Sequence, residues 1–309
     1  MEDLIETSKT NTDQRRSPTR EVMKHLLRHR SGRTGIIILS LLILIAIFAP
    51  LIAPYDPTQL LKTETRRDPP CVHLFGCPKD ETQHLFGIDG NSRDLFSRVL
   101  FGSRLSLQVG LVTMGFAILI GTIIGAFAAY AGGAVDNLLM RIMDVVMAFP
   151  SLLLAITIVS VLGTGLINAL LAIGIVSIPR FARLVRSTVL SVKELEYVQA
   201  SRALGGSSMH ILFKRILPNA ITPLIVQGTL GIATAILDAA ALSFLGLGAE
   251  PPRPEWGLML GEEKNSIFSA PHLVIFPGIA IMLTVLAFNL LGDGLRDALD
   301  PRLTRSRSA

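Results

Sequence analysis

The sequence predicts an all-α membrane protein with six transmembrane helices. Half of its 309 residues are apolar and only 17% are charged, whereas soluble domains carry about 25% charged residues. The apolar residues are concentrated in runs of about 20, the length that an α-helix needs to cross a bilayer. Because every backbone amide inside a bilayer needs an internal partner, such runs predict helices rather than loops.

Polar stretches divide the chain into five parts. A basic N-terminal tail, whose later half could form a surface helix, precedes the first transmembrane helix. A polar segment, a five-helix core containing a polar elbow, and a C-terminal tail follow. In order, the parts are 1–34, 35–54, 55–103, 104–292 with the elbow at 191–219, and 293–309. The predicted spans within them are 35–53, 105–130, 138–162, 166–183, 221–247 and 272–291.

The basic residues predict which side of the membrane each part faces. The N-terminal tail holds eight Lys and Arg residues, the stretch 180–215 holds seven, and the C-terminal tail holds four. The turn between the third and fourth spans holds none. Both termini and the elbow are therefore expected in the cytoplasm. The segment 55–103 is also basic, but it is long and acidic as well. Long loops follow the rule poorly, so we expect this segment outside.

The elbow is predicted to contain two short helices. Ser191 and Glu194 fit a capping box that begins a helix over about 192–204. Gly205 and Gly206 can end this helix, since glycine accepts the left-handed conformation of a C-terminal cap.

The second helix of the elbow is expected to begin at Ser207 or Ser208. Pro218 then marks the return toward the fifth span. Small residues keep one flank of the first helix thin, so that another backbone can approach closely. A plain surface connection between two spans would explain the same helices.

The elbow also carries a motif. It reads Gln199-Ala200-Ser201-x3-Gly205-x9-Arg215-x-Leu217-Pro218 and is preceded by Glu196-Tyr197-Val198. This pattern closely resembles the EAA motif of binding-protein-dependent ABC importer permeases. The resemblance implies that the elbow is the coupling helix, which enters a groove on a cytoplasmic ATPase subunit. The implied coupling residues are Glu196, Tyr197, Gln199, Ala200, Ser201, Ala203, Gly205, Arg215 and Pro218.

Two positions of the motif depart from the general pattern. Gln199 stands where the family has Glu, and Arg215 stands where many members have Ile. A basic residue at the second position is similar to the peptide-permease branch. Further stretches resemble the same branch and its C-type subunit, so that the resemblance covers about 35–303. They are HLFGID at 84–89, RDLFSR at 93–98, GSRLSL at 102–107, MDVVMAFPS at 143–151, ALSFLGLG at 241–248, PEWG at 254–257 and GDGLRDALDP at 292–301.

The resemblance implies a permease subunit with the type I ABC importer fold, located in the cell inner membrane and importing dipeptides or oligopeptides. It further implies a heterodimer with a homologous permease and two cytoplasmic ATPase subunits that bind ATP and magnesium. An extracytoplasmic binding protein would deliver the substrate. The segment 248–271, with Trp256 expected at membrane-interface depth, is the candidate surface for receiving it. Lipid surrounds the spans, and no nucleic-acid partner is expected.

The sequence offers no catalytic machinery. It contains no G-x4-G-K-[ST] phosphate loop, so it cannot hold ATP in that way. It also lacks a convincing nucleophile–base set or metal-ligand spacing. We therefore expect a non-enzymatic chain that binds no cofactor and relies on separate subunits for ATP hydrolysis.

Two other functions fit parts of the sequence. The same machinery could carry nickel or another small solute, because substrate selection lies in a separate binding protein. An ion-coupled secondary transporter would need several charges within the membrane and an inverted repeat. Asp238 is the one deep charge that the predicted spans contain, and no repeat is visible. A scaffold without transport would not need the elbow.

Several isolated residues allow more than one interpretation. Asp238 either lines the translocation path or contacts a partner permease, or it is a protonated or paired packing residue. Arg141 and Asp144 are spaced for an i,i+3 ion pair. Gly121 and Gly125 form a close-packing face. The sequence does not identify whether this face meets another helix of the same chain or a partner subunit.

The two cysteines, Cys71 and Cys77, lie close together in the polar segment 55–103. A disulfide on an oxidising face is the favoured interpretation. Zinc binding together with His73 and His84 is an alternative, and two free thiols are another.

Overall fold

The protein is described by a computed structural model, which covers residues 25–27, 29–61, 64–78, 80 and 82–299. Most of the predicted tail 1–34, including its possible surface helix, lies outside the described residues, as does 300–309. No β-strand occurs among the described residues, apart from two isolated bridges. The α-helices are α1 Arg30–Ile52, α2 Leu95–Ala131, α3 Gly133–Met147, α4 Ser151–Leu162, α5 Leu166–Lys193, α6 Glu196–Ala203, α7 Ser208–Ile211, α8 Leu217–Phe244, α9 Trp256–Glu263 and α10 His272–Leu299.

The helices confirm the prediction of an all-α membrane protein. Among the described residues, five helices are long and apolar enough to cross a bilayer. A sixth span is obtained when α3 and α4, which are bent by 93° at a short break, are counted together. Pro150 stands at this break, as the residue before α4. Proline has no N–H to donate and its ring clashes with the preceding turn, so the third span is a broken helix.

The ends of the bundle take their names from its polar segments. α6 and α7 define the elbow end, and residues 53–94 and 245–271 define the loop end. α1 begins beside the end of α10, because Gly35 lies against the Leu291 backbone. α5 begins beside the end of α8, where the Gly165 N–H donates to the Leu247 carbonyl at 3.3 Å. The helices that cross the bundle therefore connect the elbow end to the loop end.

The centre of the fold is the contact between α2 and α5. A Cβ atom on Gly121 would lie 2.6 Å from the Phe181 Cβ, and one on Gly125 would overlap the Ala182 carbonyl. The close-packing face of α2 therefore meets another helix of the same chain. Phe181 and its neighbour Val185 are fully buried there and belong to the main hydrophobic core, to which α8 also contributes.

Several helices extend further than the sequence predicts. α2 begins at Leu95, ten residues before the expected position, because the Asp94 carboxylate caps it by accepting the Ser97 N–H at 2.7 Å. α5 continues to Lys193 instead of ending at 183. At 1.5 Å per residue its 28 residues extend for about 42 Å, more than the roughly 30 Å of a hydrocarbon core.

Ion pairs join α3 to α5 near the elbow end. Asp144 pairs with Arg183 of α5, so the expected pair with Arg141 is wrong. Asp136 accepts two hydrogen bonds of 2.6 Å from Arg186. The extension of α5 beyond 183 brings Arg186 beside α3, whereas Arg183 is already the last residue of the predicted span.

An arginine of α2 compensates for a proline inside α1. Pro50 cannot donate to the Ala46 carbonyl four residues earlier. Arg104 supplies the missing donor: its Nε donates to the Ala46 carbonyl, and its Nη2 donates to the Ile47 carbonyl at 2.8 Å. A bilayer offers no water to these carbonyls. The guanidinium therefore supplies their hydrogen bonds and also attaches α1 to α2.

Replacing Arg104 by Leu should destabilise the protein by about 2 kcal/mol, the cost of an unsatisfied buried acceptor. Pro50→Ala restores an N–H to α1, so the loss caused by Arg104→Leu should be smaller in that background. Thermal unfolding in detergent of the two single variants and the double variant measures both effects. An equal loss in the two backgrounds would show that Arg104 acts independently of the kink.

The polar segment before α2 is held by short-range bonds. The Cys71 and Cys77 sulfurs are bonded to each other, with Cα atoms 5.4 Å apart. The Cys71 backbone also exchanges two hydrogen bonds of 2.9 Å with His84. Among the described residues, no three His, Cys, Asp or Glu side chains are grouped to hold a metal ion. The zinc alternative therefore has no support from this geometry.

Alkylation tests whether the native protein carries this disulfide. We expect no labelling of the unfolded, unreduced chain by a maleimide reagent, and two labelled positions after reduction. Cys71→Ser supplies the control, since it leaves Cys77 as a thiol that labels without reductant. Equal labelling of the unmodified chain with and without reductant would exclude the bridge.

Candidate functional site

The first helix of the elbow is α6, and it begins later than the capping box predicts. Ser191 lies inside α5, and the residue that precedes α6 is Leu195, which makes no side-chain cap. Buried Val189 and Val192 explain the difference, because they extend the packing of α5 against the core. Tertiary packing therefore overrides the local cap signal at Ser191.

The turn between the two elbow helices requires both of its glycines. Gly205 adopts φ +79°, a conformation that a side chain disfavours. Gly206 lies so close to α6 that a Cβ atom would be 2.7 Å from the Ser201 carbonyl. The Gly206 N–H donates to this same carbonyl at 3.0 Å. The predicted stop is confirmed, and α7 begins at Ser208 after Ser207, as expected.

The inner side of the elbow is anchored to the core. Val198 of α6 is fully buried, and so is Ile216, which lies just before α8. Both residues belong to the same hydrophobic cluster as Phe181 and Val185. The elbow is consequently a fixed part of the bundle, so a displacement of α6 must also displace α5 and α8.

Hydrogen bonds also connect α6 to the start of α8. The Tyr197 hydroxyl donates to the Arg215 carbonyl at 3.2 Å, and the Asn219 amide donates to that carbonyl at 2.8 Å. The Asn219 amide also lies 3.2 Å from the Tyr197 hydroxyl. These bonds surround a π-helical turn, Leu212–Ile216, a form that is frequent at functional sites. The motif did not indicate Asn219, because the π-turn that brings it to Tyr197 has no clear sequence signal.

The side chain of Gln199 has a local structural role. Its amide donates to the Lys193 carbonyl at 3.3 Å, at the end of α5. A carboxylate cannot donate such a bond, which gives a physical reason for Gln at this position. Ser201 bonds back to the Tyr197 carbonyl at 2.8 Å, and Glu196 is exposed at the first residue of α6, where the helix dipole favours a negative charge.

The outer side of the elbow exposes apolar residues. Leu204 is 89% exposed, and Met209 and Phe213 are exposed by more than half. The remaining motif residues, Ala200, Ala203, Arg215 and Pro218, are exposed around them. We call Leu204, Met209 and Phe213 the elbow patch. An exposed apolar patch with a charged rim is typical of a protein–protein interface.

At the loop end, buried ion pairs connect the polar segment to α9. Arg98 is completely buried and lies 3.3 Å from Asp89 and 3.2 Å from Glu262. Arg93 binds the same two carboxylates, at 2.7 and 3.1 Å. Arg67 adds a pair with Glu263 at 3.1 Å. Removing one member of such a buried set is strongly destabilising, so these contacts fix α9 against the polar segment.

α9 in turn packs directly on the end of α8. A Cβ atom on Gly257 would overlap Ala240, and one on Gly261 would lie 2.8 Å from the Phe244 carbonyl. Trp256 is almost completely buried and donates to the Val99 carbonyl at 3.0 Å. Trp256 is therefore an internal packing residue, whose ring fills the space between α9 and α2.

A buried carboxylate begins α9. Glu255 accepts hydrogen bonds from the Gly257 and Leu258 N–H groups at 3.0 and 2.8 Å. Burial raises the pKa of this carboxyl group, while the two backbone donors oppose the rise. The side chain thus fixes the direction of α9.

Asp238 lies on α8, away from the elbow, and is partly buried. Among the described residues, no cationic nitrogen lies within 4.0 Å of its carboxylate oxygens. Arg180 is exposed, although it lies in the middle of a helix that is apolar enough to span a membrane. The sequence placed Arg180 near the end of its span, because α5 was expected to stop at 183.

Comparisons with known proteins agree on one family. The family model described as "Binding-protein-dependent transport system inner membrane component" matches residues 121–305. The model "N-terminal TM domain of oligopeptide transport permease C" matches residues 17–70. Together the two models account for most of the chain.

Individual relatives match over almost their whole length. The dipeptide transport system permease protein DppC of Alkalihalophilus pseudofirmus is 50% identical over 287 residues, which are 93% of this chain and 91% of the relative. The glutathione transport system permease protein GsiD of Escherichia coli is 46% identical over 291 residues, 94% of this chain and 93% of the relative.

Among solved structures, a chain of the MetNI methionine ABC transporter in an inward-facing conformation matches with a TM-score of 0.54 and 19% identity. The match covers 67% of this chain and 98% of the MetNI chain, and it shows a shared fold. This chain therefore belongs to the family of inner membrane components of binding-protein-dependent transport systems, and it is a multi-pass ABC importer permease subunit with the type I importer fold.

Proposed function

We propose that this chain forms half of the translocation path of an importer for dipeptides or oligopeptides, together with a homologous permease subunit. The elbow is the observation that carries this function, because it is anchored inside the bundle and exposes an apolar patch outside it. The names of the two relatives, one for dipeptides and one for the tripeptide glutathione, support the class of cargo.

We infer that the elbow end faces the cytoplasm and the loop end faces outward. The excess of Lys and Arg in the two tails and in 180–215 supports this orientation. A disulfide at the loop end supports it as well, since disulfides persist on oxidising faces. Multi-pass insertion in the inner membrane with both termini inside follows from this orientation.

The elbow patch is the proposed contact with the ATPase subunits. Leu204 directly follows α6, Met209 lies in α7 and Phe213 lies in the π-helical turn. These three apolar residues would fill a groove on the partner. The chain has no phosphate loop, so we assign ATP, magnesium and hydrolysis to those partners. Gly205 shapes the patch, and Tyr197 holds it against α8.

α8 provides a mechanical connection between the two ends. It begins at the elbow, and near its other end it supports α9 through contacts of Gly257 and Gly261. When ATP draws the two ATPase subunits together, movement of the elbow would tilt α8 and shift α9. ATP and cargo then act by binding one arrangement of the helices more tightly than the other.

The binding protein is proposed to dock on the loop end at 248–271. Phe268 is 99% exposed there, and Arg253 and Ile267 are also exposed in this segment. Trp256 supports this surface from below rather than contacting the partner. The exposed apolar residues on both halves of the broken span, such as Leu138 and Leu153, would face the second permease or lipid.

Gly205→Val should abolish the import of a radiolabelled dipeptide by the assembled transporter. A Cβ atom at this position meets no atom within 4 Å, but the valine would have to adopt φ +79°, which costs a β-branched residue about 1–2 kcal/mol or more. Gly115→Val is the matched control, because that helical glycine also has open space around it and no positive φ. Uptake at the wild-type rate with the ATPase still bound would contradict the coupling role. Failure of the unmodified transporter to import dipeptides would contradict the cargo.

Opposite effects should follow from charges placed at the two ends. Leu204→Asp should reduce co-purification of the ATPase subunits, because a carboxylate would be buried in their groove. Phe268→Asp should leave that co-purification intact and instead weaken stimulation of ATP hydrolysis by the binding protein. If Leu204→Asp retains the ATPase fully, or Phe268→Asp loses it, the assigned orientation is wrong.

A further inference from the structure

Arg180 is a cation within a candidate membrane span, and no described side chain neutralises it by direct contact. It follows 14 residues after the start of α5, or about 21 Å along the helix. Its side chain is exposed, and among the described residues no ion pair or hydrogen bond involves its guanidinium. A charge at this depth is costly unless it faces protein or water.

The neighbouring arginines of α5 are different. Arg183 pairs with Asp144, and Arg186 pairs with Asp136, so both charges are used to hold α3. Arg180 lies on the side of α5 that also carries Val176 and Arg183, neither of which is fully buried. A role in joining helices of this chain therefore explains Arg183 and Arg186 but leaves Arg180 unexplained.

α8 presents a polar stripe on which Arg180 can act. Gln227, Thr234 and Asp238 follow at intervals of seven and four residues, which places them on one side of a helix. None of the three is fully buried. Gly231, two turns before Asp238 on this side of α8, lies against the ring of Phe181, the neighbour of Arg180 on α5. No nitrogen of Arg180 comes within 4.0 Å of an Asp238 oxygen. The opposite charges thus face one another across a gap.

The backbone beside Arg180 is also polar. Pro179 cannot donate to the Ile175 carbonyl four residues earlier. Membrane proteins tolerate such interrupted helices where they line a cavity, and they use the freed groups for substrates and ions. A guanidinium, a carboxylate and an incompletely bonded carbonyl in one region indicate a water-accessible path rather than a lipid-facing surface.

We propose that Arg180 and Asp238 form a charged station for zwitterionic cargo within the translocation path. Arg180 binds the carboxylate of the cargo, for which the planar guanidinium is well suited. Asp238 binds its ammonium group. Two residues in extended form span about 7 Å, which is compatible with a separation of the two side chains above the 4.0 Å limit of an ion pair. This inference rests on the proposed import of peptides, and it assigns Arg180 and Asp238 to the recognition of the cargo.

A cysteine reporter at Thr234 tests the anion-attracting path without any cargo. Cys71 and Cys77 are the two native cysteines of this chain and are bonded to each other, so Thr234→Cys adds the one free thiol of this chain, and labelling is read on its band alone. In the assembled transporter, we expect a sulfonate-bearing thiosulfonate reagent to react faster than its trimethylammonium analogue. Arg180→Gln should abolish this preference, whereas Arg180→Lys should retain it. Arg183→Gln is the matched control and should also retain it.

Two labelling results would overturn the proposal. A reporter that neither reagent reaches would show that the stripe on α8 is not in an aqueous path. A preference that persists in Arg180→Gln would show that another charge attracts the anion. Neither result depends on the identity of the cargo, so this outcome is separate from the question of whether peptides are imported.

Uptake by the complete transporter supplies the second measurement. Loss of a charge-assisted bond should lower import of a radiolabelled dipeptide by about ten- to a hundredfold in Arg180→Gln. Arg180→Lys should retain more of the uptake. A wild-type rate in Arg180→Gln would overturn the proposal. If the unmodified transporter imports no dipeptide, the cargo assignment fails, and the reporter at Thr234 still decides whether Arg180 attracts anions.

Discussion

The need to satisfy backbone polar groups inside the membrane governs this structure. A bilayer supplies no hydrogen bonds, so each proline in a span requires a local solution. In α1, the guanidinium of Arg104 donates to two carbonyls in the turn before Pro50. Pro150 ends one helix and begins another at a 93° bend. At the elbow end, Tyr197 and Asn219 supply donors to the Arg215 carbonyl in the π-turn. These side-chain hydrogen bonds and the break at Pro150 determine where the helices can bend.

A second constraint is that both functional ends are attached to the same helix. α8 joins the elbow at one end and supports α9 near the other, through glycine contacts with little room for sliding. The buried arginines at 93 and 98 then fix α9 to the polar segment. In the proposed cycle, a displacement of the elbow reaches the outer surface through α8 and α9, which pack directly on each other, so no flexible linker is needed.

Much of the architecture is readable from the sequence, because apolar runs and glycine stops are local signals. The six spans and the end of the first elbow helix at Gly205 are examples. Features that depend on distant packing are not readable. Ser191 looks like a cap until Val192 is seen to pack in the core, and Trp256 looks like an interface residue until its pocket against α2 is known. The same extension of α5 that gives Asp136 its partner Arg186 leaves Arg180 in the middle of the helix instead of near its end.

The glycine contact between α2 and α5 separates two kinds of evolutionary change. Gly121 and Gly125 occupy one side of the interface and leave no space for any other residue opposite Phe181 and Ala182. Arg180 lies on the other side of α5, where a new side chain displaces nothing. Substitutions that retune cargo preference can therefore accumulate on that side while the frame that transmits force stays unchanged. Related permeases can in this way differ in their cargo while the helices that transmit movement from the elbow stay the same.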